Sequence, residues 1–190
     1  AGADVFPVDV GMMGEHYPNK EFQPMVMCDR KVAQGTGDIA VEPAMTQEQC
    51  LRAILAGIEV VADLSTQGYE MIGMGEMGIG NTTPSSALVS VLLNLPAEEV
   101  TGRGAGLSDV SYNKKVAVIE QAVKRYWKAT EDSEIPDGPF FKIDAAVELM
   151  SHLGGYEIAA MAGMCLGGAV FGVPIVLDGY ISVAGALCAS

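Results

Sequence analysis

The run from Ile158 to Leu177 holds 20 residues and no charged side chain. Apolar sequence of that length can cross a bilayer. The pairs Gly163/Gly167 and Gly168/Gly172 also have the small-residue spacing by which membrane helices pack. Three features argue against a span: Pro174 divides the run, Glu157 and Asp178 flank it without any Lys or Arg, and no aromatic belt is present. A close-packed helix to Gly172, followed by a buried strand from Val173 to Leu177, accounts for the same letters. Its glycines would let the helix approach the sheet closely. The reading is a soluble protein with no membrane partner.

The rest of the pattern points to the same class. Val5 to Val10 is a short apolar run ending at Gly11, which suits a buried strand feeding a loop that contains His16 and Tyr17. Thr46 and Gln49 make a capping box, and Leu51, Ile54, Leu55, Ile58 and Val61 follow at helical spacing, predicting a helix that ends before Gly68. Met71 to Gly75 reads as a short buried strand. Pro84, after the candidate caps Thr82 and Thr83, marks the start of the next helix. Val116, Ile119, Val123 and Tyr126 share one face of a long amphipathic helix. Pro136 to Pro139 then interrupts the chain, and Ile143 to Leu153 forms a short helix closed by Gly154 and Gly155. Apolar strands separated by helices imply a parallel α/β sheet covered on both faces. At 190 residues the chain fits a single domain, residues 1–190.

Function is bounded first by charge. With 24 acidic residues against 11 Lys plus Arg, the net charge is −13. A nucleic-acid partner is therefore not expected, because affinity for a polyanion comes mainly from basic side chains. A small phosphate held by backbone N–H groups stays open. Cys28, Cys50, Cys165 and Cys188 match no metal or redox spacing and read as reduced, mostly buried thiols. The 11 methionines read as core filling. His16 and His152 have no Cys or His neighbour at ligand spacing, and His152 reads as a helix-end residue. No Gly-x-Ser-x-Gly elbow is present to support a hydrolase triad.

Ligands of open parallel sheets bind at the carboxyl ends of the strands. Three positions converge there: Glu76 after one strand, Asp178 after another, and the loop after Val10. The loop Gly75 to Asn81 lies between a strand and a helix, where backbone N–H groups can hold a phosphate. It lacks the Gly-Lys-Ser/Thr ending of a P-loop. In the second Gly-rich loop, Gly102 to Gly106, the third glycine comes one residue too early for a dinucleotide fingerprint. Beside a phosphate, Glu76 makes sense facing a sugar hydroxyl, a cationic ring or a developing positive charge. A carboxylate capping local N–H groups is the alternative. Lys115 could supply charge for a phosphate, with the adjacent Lys114 leaving that assignment open.

Several segments carry a resemblance that covers nearly the whole chain. They are Gly75-Glu76-Met77-Gly78-Ile79-Gly80-Asn81-Thr82-Thr83, Gly102-Arg103-Gly104-Ala105-Gly106, the stretch from Lys115 to Glu120, Gly154 to Gly163, and Val176-Leu177-Asp178-Gly179-Tyr180-Ile181. Together they resemble the nicotinate-nucleotide:dimethylbenzimidazole phosphoribosyltransferases. Gly35-Thr36-Gly37-Asp38-Ile39 and Ala44-Met45-Thr46 also fit, although that family more usually has Asn where Asp38 stands. The resemblance implies a Rossmann-like α/β core, and transfer of ribose phosphate from nicotinate mononucleotide to 5,6-dimethylbenzimidazole or a related base in cobalamin lower-ligand assembly. It further implies that Glu76 is the active-site carboxylate. Gly78, Ile79, Gly80, Asn81 and Thr82 would hold the phosphate with Lys115, Gly104 and Gly106 would line the nucleotide pocket, and Asp178 would contact ribose. No metal or cofactor is implied, since the leaving group is not pyrophosphate. A cytoplasmic homodimer is implied. Family members are nearly twice as long, and the matched region is their middle. The base pocket draws on residues before Ala1, and the glutamate acting as general base follows Ser190, so the chain reads as a fragment with the small lobe largely missing. A non-catalytic nucleotide-binding or assembly module derived from the family is the competing expectation.

Overall fold

Helix α1 (Gln47–Thr66) starts on the capping box that its sequence spells. The Thr46 hydroxyl accepts from the Gln49 N–H at 3.1 Å, and the Gln49 side-chain oxygen accepts from the Thr46 N–H at 2.9 Å. These two bonds satisfy donors that the first helical turn cannot pair internally. In this computed structural model residues 2–14, 28–104, 106–130 and 143–190 are described. The loop holding His16 and Tyr17, the Pro136 to Pro139 interruption and Ala105 lie outside them.

Around α1 the order is β1 (Val8–Asp9), β2 (Cys28–Asp29), then β3 (Ile72–Met74), α2 (Thr82–Leu92), α3 (Ala97–Val100), α4 (Asp109–Ala129), α5 (Ile143–Leu153), α6 (Tyr156–Phe171), β4 (Ile175–Leu177) and α7 (Tyr180–Cys188). The parallel pairing expected of an α/β chain is present. Strands β1 and β2 pair in parallel, as do β3 and β4, with Ile72 opposite Ile175 and Met74 opposite Leu177. Among the described residues these are two separate two-stranded sheets. Strand β1 is shorter than the Val5 to Val10 run, because Val5 and Phe6 are exposed and Phe6 instead packs edge-on to Tyr69. Strand β4 starts two residues later than Val173, although the Pro174 carbonyl already accepts from the Ile72 N–H.

The uncharged run divides into α6, ended by Gly172 in the left-handed conformation at φ 68°, and β4. Strand β4 is not the buried strand expected, because Val176 and Leu177 are exposed and the sheet is uncovered there. Among the described residues no helix is long and apolar enough to cross a membrane. The glycines of α6 face a different neighbour from the one assigned in sequence. A Cβ on Gly163 would lie 1.9 Å from the Ile54 carbonyl oxygen, and one on Gly57 would lie 1.9 Å from that of Ala160. Gly163 and Gly167 therefore bring α6 against the backbone of α1. Only Gly168 meets the sheet, with Ile175 Cγ1 2.5 Å from its would-be Cβ. Without side chains at these crossings the two helices touch directly, and α6 becomes a central rod, buried from Tyr156 to Gly163 except at Glu157 and exposed at Val170 and Phe171.

The main core joins α1, α2, α4, α5, α6 and α7 through residues such as Cys50, Leu88, Ile119, Leu149, Ile158 and Cys188. Burial pushes the Cys50 and Cys188 thiols up to about 12, which makes them inert apolar fillers. Met45, Met74, Met150 and Met161 fill the core, whereas Met12, Met13, Met71 and Met77 are exposed. His152 ends α5 and is structural: its carbonyl accepts from Arg125 Nη2 at 3.0 Å and from the Ala44 N–H.

Candidate active site

Strands β3 and β4 end level with each other, so Gly75 and Asp178 leave the sheet side by side. A Cβ on Gly75 would stand 3.9 Å from Asp178 Oδ2. Two of the three expected strand-end positions thus meet, with Glu76 next in the chain. In the third, the Asp9 carboxylate accepts from the N–H groups of Gly11 and Met12 at 2.9 and 2.8 Å. That turn presses Gly11 onto the ring of Tyr156, the first residue of α6.

Next to Tyr156 stands Glu157, which reads in sequence as a flank of the apolar run and a member of the Gly154 to Gly163 segment, with no site role of its own. Its carboxylate and that of Glu76 both use the side chain of Asn81, whose Nδ2 donates to Glu76 Oε2. Burial raises the Glu157 pKa above the ordinary carboxylate value, and the Glu76 charge adds to that rise. Hydrogen bonds from its own backbone N–H and from Asn81 act in the opposite sense. A lone acid heading an uncharged run, two residues after the Gly154-Gly155 pair, was the available signal.

The carboxylates alter how α2 begins. Its N-cap is Asn81, with no side-chain cap bond, and Thr82 and Thr83 lie inside the helix rather than capping it. The Asn81 amide has been taken by Glu76 and Glu157. Gly78 is required for this arrangement, because a Cβ there would fall 2.3 Å from Asn81 Nδ2 and 3.1 Å from Glu157 Oε1. Gly80 supplies a φ of 85°, open to glycine and strained for most other residues. Ile79 and Met77 point fully outward, so Ile79 can serve a ligand here through its backbone.

Lys115 is separated from Lys114 by its surroundings. Its Nζ donates to Thr82 Oγ1 at 2.9 Å and to the Gly102 carbonyl at 3.2 Å, tying the start of α2 to the second Gly-rich loop. Burial lowers its pKa below the usual lysine value. Lys114, one position along the helix, is exposed. Gly104 and Gly106 bend that loop at φ 53° and 98°. Arg103 is held within it, 2.7 Å from Asp109 Oδ1 and stacked over Tyr112. The N-cap and the first residue of α2 therefore face opposite charges: Asn81 meets the two carboxylates, and Thr82 binds the ammonium. Among the described residues no group of acidic, His or Cys side chains could hold a metal ion.

Comparison with known proteins matches residues 1–190 to the family DBI_PRT, described as phosphoribosyltransferase. The nicotinate-nucleotide–dimethylbenzimidazole phosphoribosyltransferase of Chlorobaculum tepidum is 42% identical over 190 residues, which is 100% of this chain and 48% of that protein. The protein of the same name from Desulfotalea psychrophila is 40% identical, over 100% of this chain and 49% of its own length. The crystal structure of CobT from Thermus thermophilus superposes with a TM-score of 0.80 at 36% identity, covering 97% of this chain and 50% of that one. The chain spans about half the length of the relatives it matches.

Proposed function

The chain belongs to this phosphoribosyltransferase family, and from that premise we propose that it forms the nucleotide-binding half of a site that transfers ribose phosphate from nicotinate mononucleotide to 5,6-dimethylbenzimidazole or a related base. The observation that carries this reading is the opposite charge at Asn81 and Thr82. A mononucleotide presents its phosphate and its glycosidic carbon at the two ends of one ribose, and the start of α2 offers a cation to one and carboxylates to the other.

In the proposed reaction the C1′–N bond breaks with both electrons passing to the pyridinium nitrogen, so nicotinate leaves with a neutral ring nitrogen. A benzimidazole nitrogen forms the new bond to C1′ from the opposite face, giving α-ribazole 5′-phosphate, and the benzimidazole N–H proton passes to a base. Positive charge accumulates on the sugar at the transition state. Glu76 faces that charge, and its carboxylate stabilises it most when held in a fixed direction. Lys115, Thr82 and the backbone N–H groups of Gly78, Ile79 and Gly80 take the phosphate, Gly104 and Gly106 shape the far wall, and Asp178 contacts ribose. Lys115 has three N–H bonds and spends two on Thr82 and Gly102. The third is available to an anion.

Isothermal titration of the chain with nicotinate mononucleotide tests the assignment. The wild type should bind, and the double variant Glu76→Ala, Lys115→Ala should give no heat of binding. Equal heats in the two proteins would remove Glu76 and Lys115 from the site.

A further inference from the structure

We propose that Glu157 is a positioning residue that aims Glu76 through the side chain of Asn81. The inference rests on the reading above, in which Glu76 faces the reacting carbon, and adds a residue to it. An amide nitrogen carries two hydrogens in one plane, about 120° apart, and each can serve one acceptor. Asn81 Nδ2 donates to Glu76 Oε2, and Glu157 Oε1 lies beside the same amide across Gly78, whose would-be Cβ would stand 2.3 Å from Nδ2 and 3.1 Å from Oε1. Fixing one N–H of such a group on Glu157 fixes the direction of the other.

The surroundings of the amide are built for this. Gly78 and Gly155 both leave room for the Glu157 carboxylate: a Cβ on either would come within 3.1 or 2.9 Å of Oε1. Asn81 itself is buried, and its carbonyl oxygen accepts from Ser85 Oγ at 2.9 Å, which locks the backbone beneath the amide. Glu157 lies in the first turn of α6, the rod held against α1 by the glycine crossings. The aim of Glu76, on a loop, is thus set from a helix packed closely against α1. A side chain on a loop gains fixed geometry only from partners that are themselves fixed. Keeping a half-buried carboxylate here costs stability, since burial and Glu76 both oppose its charge. A purely structural site would be served equally well by a neutral residue.

The test compares two ligands with the same phosphate. Nicotinate mononucleotide carries a cationic ring nitrogen at C1′, and ribose 5-phosphate carries a hydroxyl there. Calorimetry on the wild-type chain should show tighter binding of the nucleotide. Glu157→Ala should reduce nucleotide affinity roughly tenfold, the scale of one lost hydrogen bond to a charged group, with ribose 5-phosphate affinity unchanged. Glu157→Gln keeps an oxygen that accepts from Asn81 and should restore the preference. If Glu157→Ala retains the preference, or if both ligands weaken together, the positioning role is wrong while the site assignment stands. Loss of the preference in the Gln variant as well would overturn it in favour of a direct charge effect. If the wild type shows no preference for the nucleotide, the proposed function itself falls.

Discussion

The ammonium of Lys115 stands 2.9 Å from the hydroxyl of Thr82, joining helix α4 to the first turn of α2. One residue earlier, Asn81 holds Glu76. This places a positive and a negative subsite on successive residues of one helix start, in a protein whose overall charge is −13. A strongly acidic protein would repel a phosphate at long range, so the local cation and the helix N-terminus have to supply the attraction.

Lys115 loses its charge at lower pH than an ordinary lysine of pKa 10.5, because burial disfavours the ammonium. In the proposed site, phosphate binding requires that charge. Affinity for nicotinate mononucleotide should therefore fall across the alkaline range at lower pH than the titration of a surface lysine would produce. Lys115→Met should bind weakly throughout and lose this alkaline limb, whereas Lys114→Met should keep it. Calorimetry across that range checks both.

Glu157 has a folded-state pKa above its unfolded value of 4.5, so the folded state binds more protons than the unfolded one as pH rises past 4.5. Its ionisation thus removes stability as pH rises through the folded pKa. Glu157→Gln should melt at a higher temperature than the wild type at neutral pH, and the difference should close below pH 4.5. An equal gap in melting temperature at both pH values would contradict the burial argument.

The glycine crossing of α1 and α6 leaves no space for a methyl group, with backbone oxygen 1.9 Å from either would-be Cβ. Gly57→Ala or Gly163→Ala should cost about 3 kcal/mol through forced separation of the helices. Gly73 in β3 has open space around its would-be Cβ, so Gly73→Ala should change stability by less than about 0.5 kcal/mol. Urea unfolding of the three variants provides the comparison.

Removing the Thr46 hydroxyl should cost about 1 kcal/mol, the usual worth of an N-cap. Thr82→Ala, by contrast, should leave the stability of α2 nearly unchanged while weakening nucleotide binding, because Thr82 lies inside that helix and serves Lys115. Melting temperature and calorimetry together separate these two threonines.

These contrasts explain what was legible in the sequence. Thr46 and Gln49 could be read because a capping box is complete within four residues. Glu76 and Asp178 could be placed at strand ends because short apolar runs stop there, and the paired strands do bring Gly75, the residue before Glu76, beside Asp178. The choice of Lys115 over Lys114 depends on which side of α4 faces the Gly102 loop, a matter of tertiary packing. Glu157 and the diversion of Asn81 from capping were hidden for the same reason, since 76 residues separate the two ends of that contact. The glycines of α6 read in sequence as close-contact residues, but their partner, the α1 backbone at Ile54 and Ile58, lies about a hundred residues upstream.

The most direct measurement places this chain in the Chlorobaculum tepidum relative in place of the matching half, and follows product formed from nicotinate mononucleotide and 5,6-dimethylbenzimidazole. The account predicts α-ribazole 5′-phosphate from the chimaera, and a loss of roughly a hundredfold or more in kcat/KM for Glu76→Gln, as expected when the carboxylate facing the sugar is neutralised. An active chimaera whose Glu76→Gln variant turns over at the same rate would contradict it. So would a folded chimaera that binds the nucleotide and forms no α-riboside, which would leave a nucleotide-binding module without transferase chemistry.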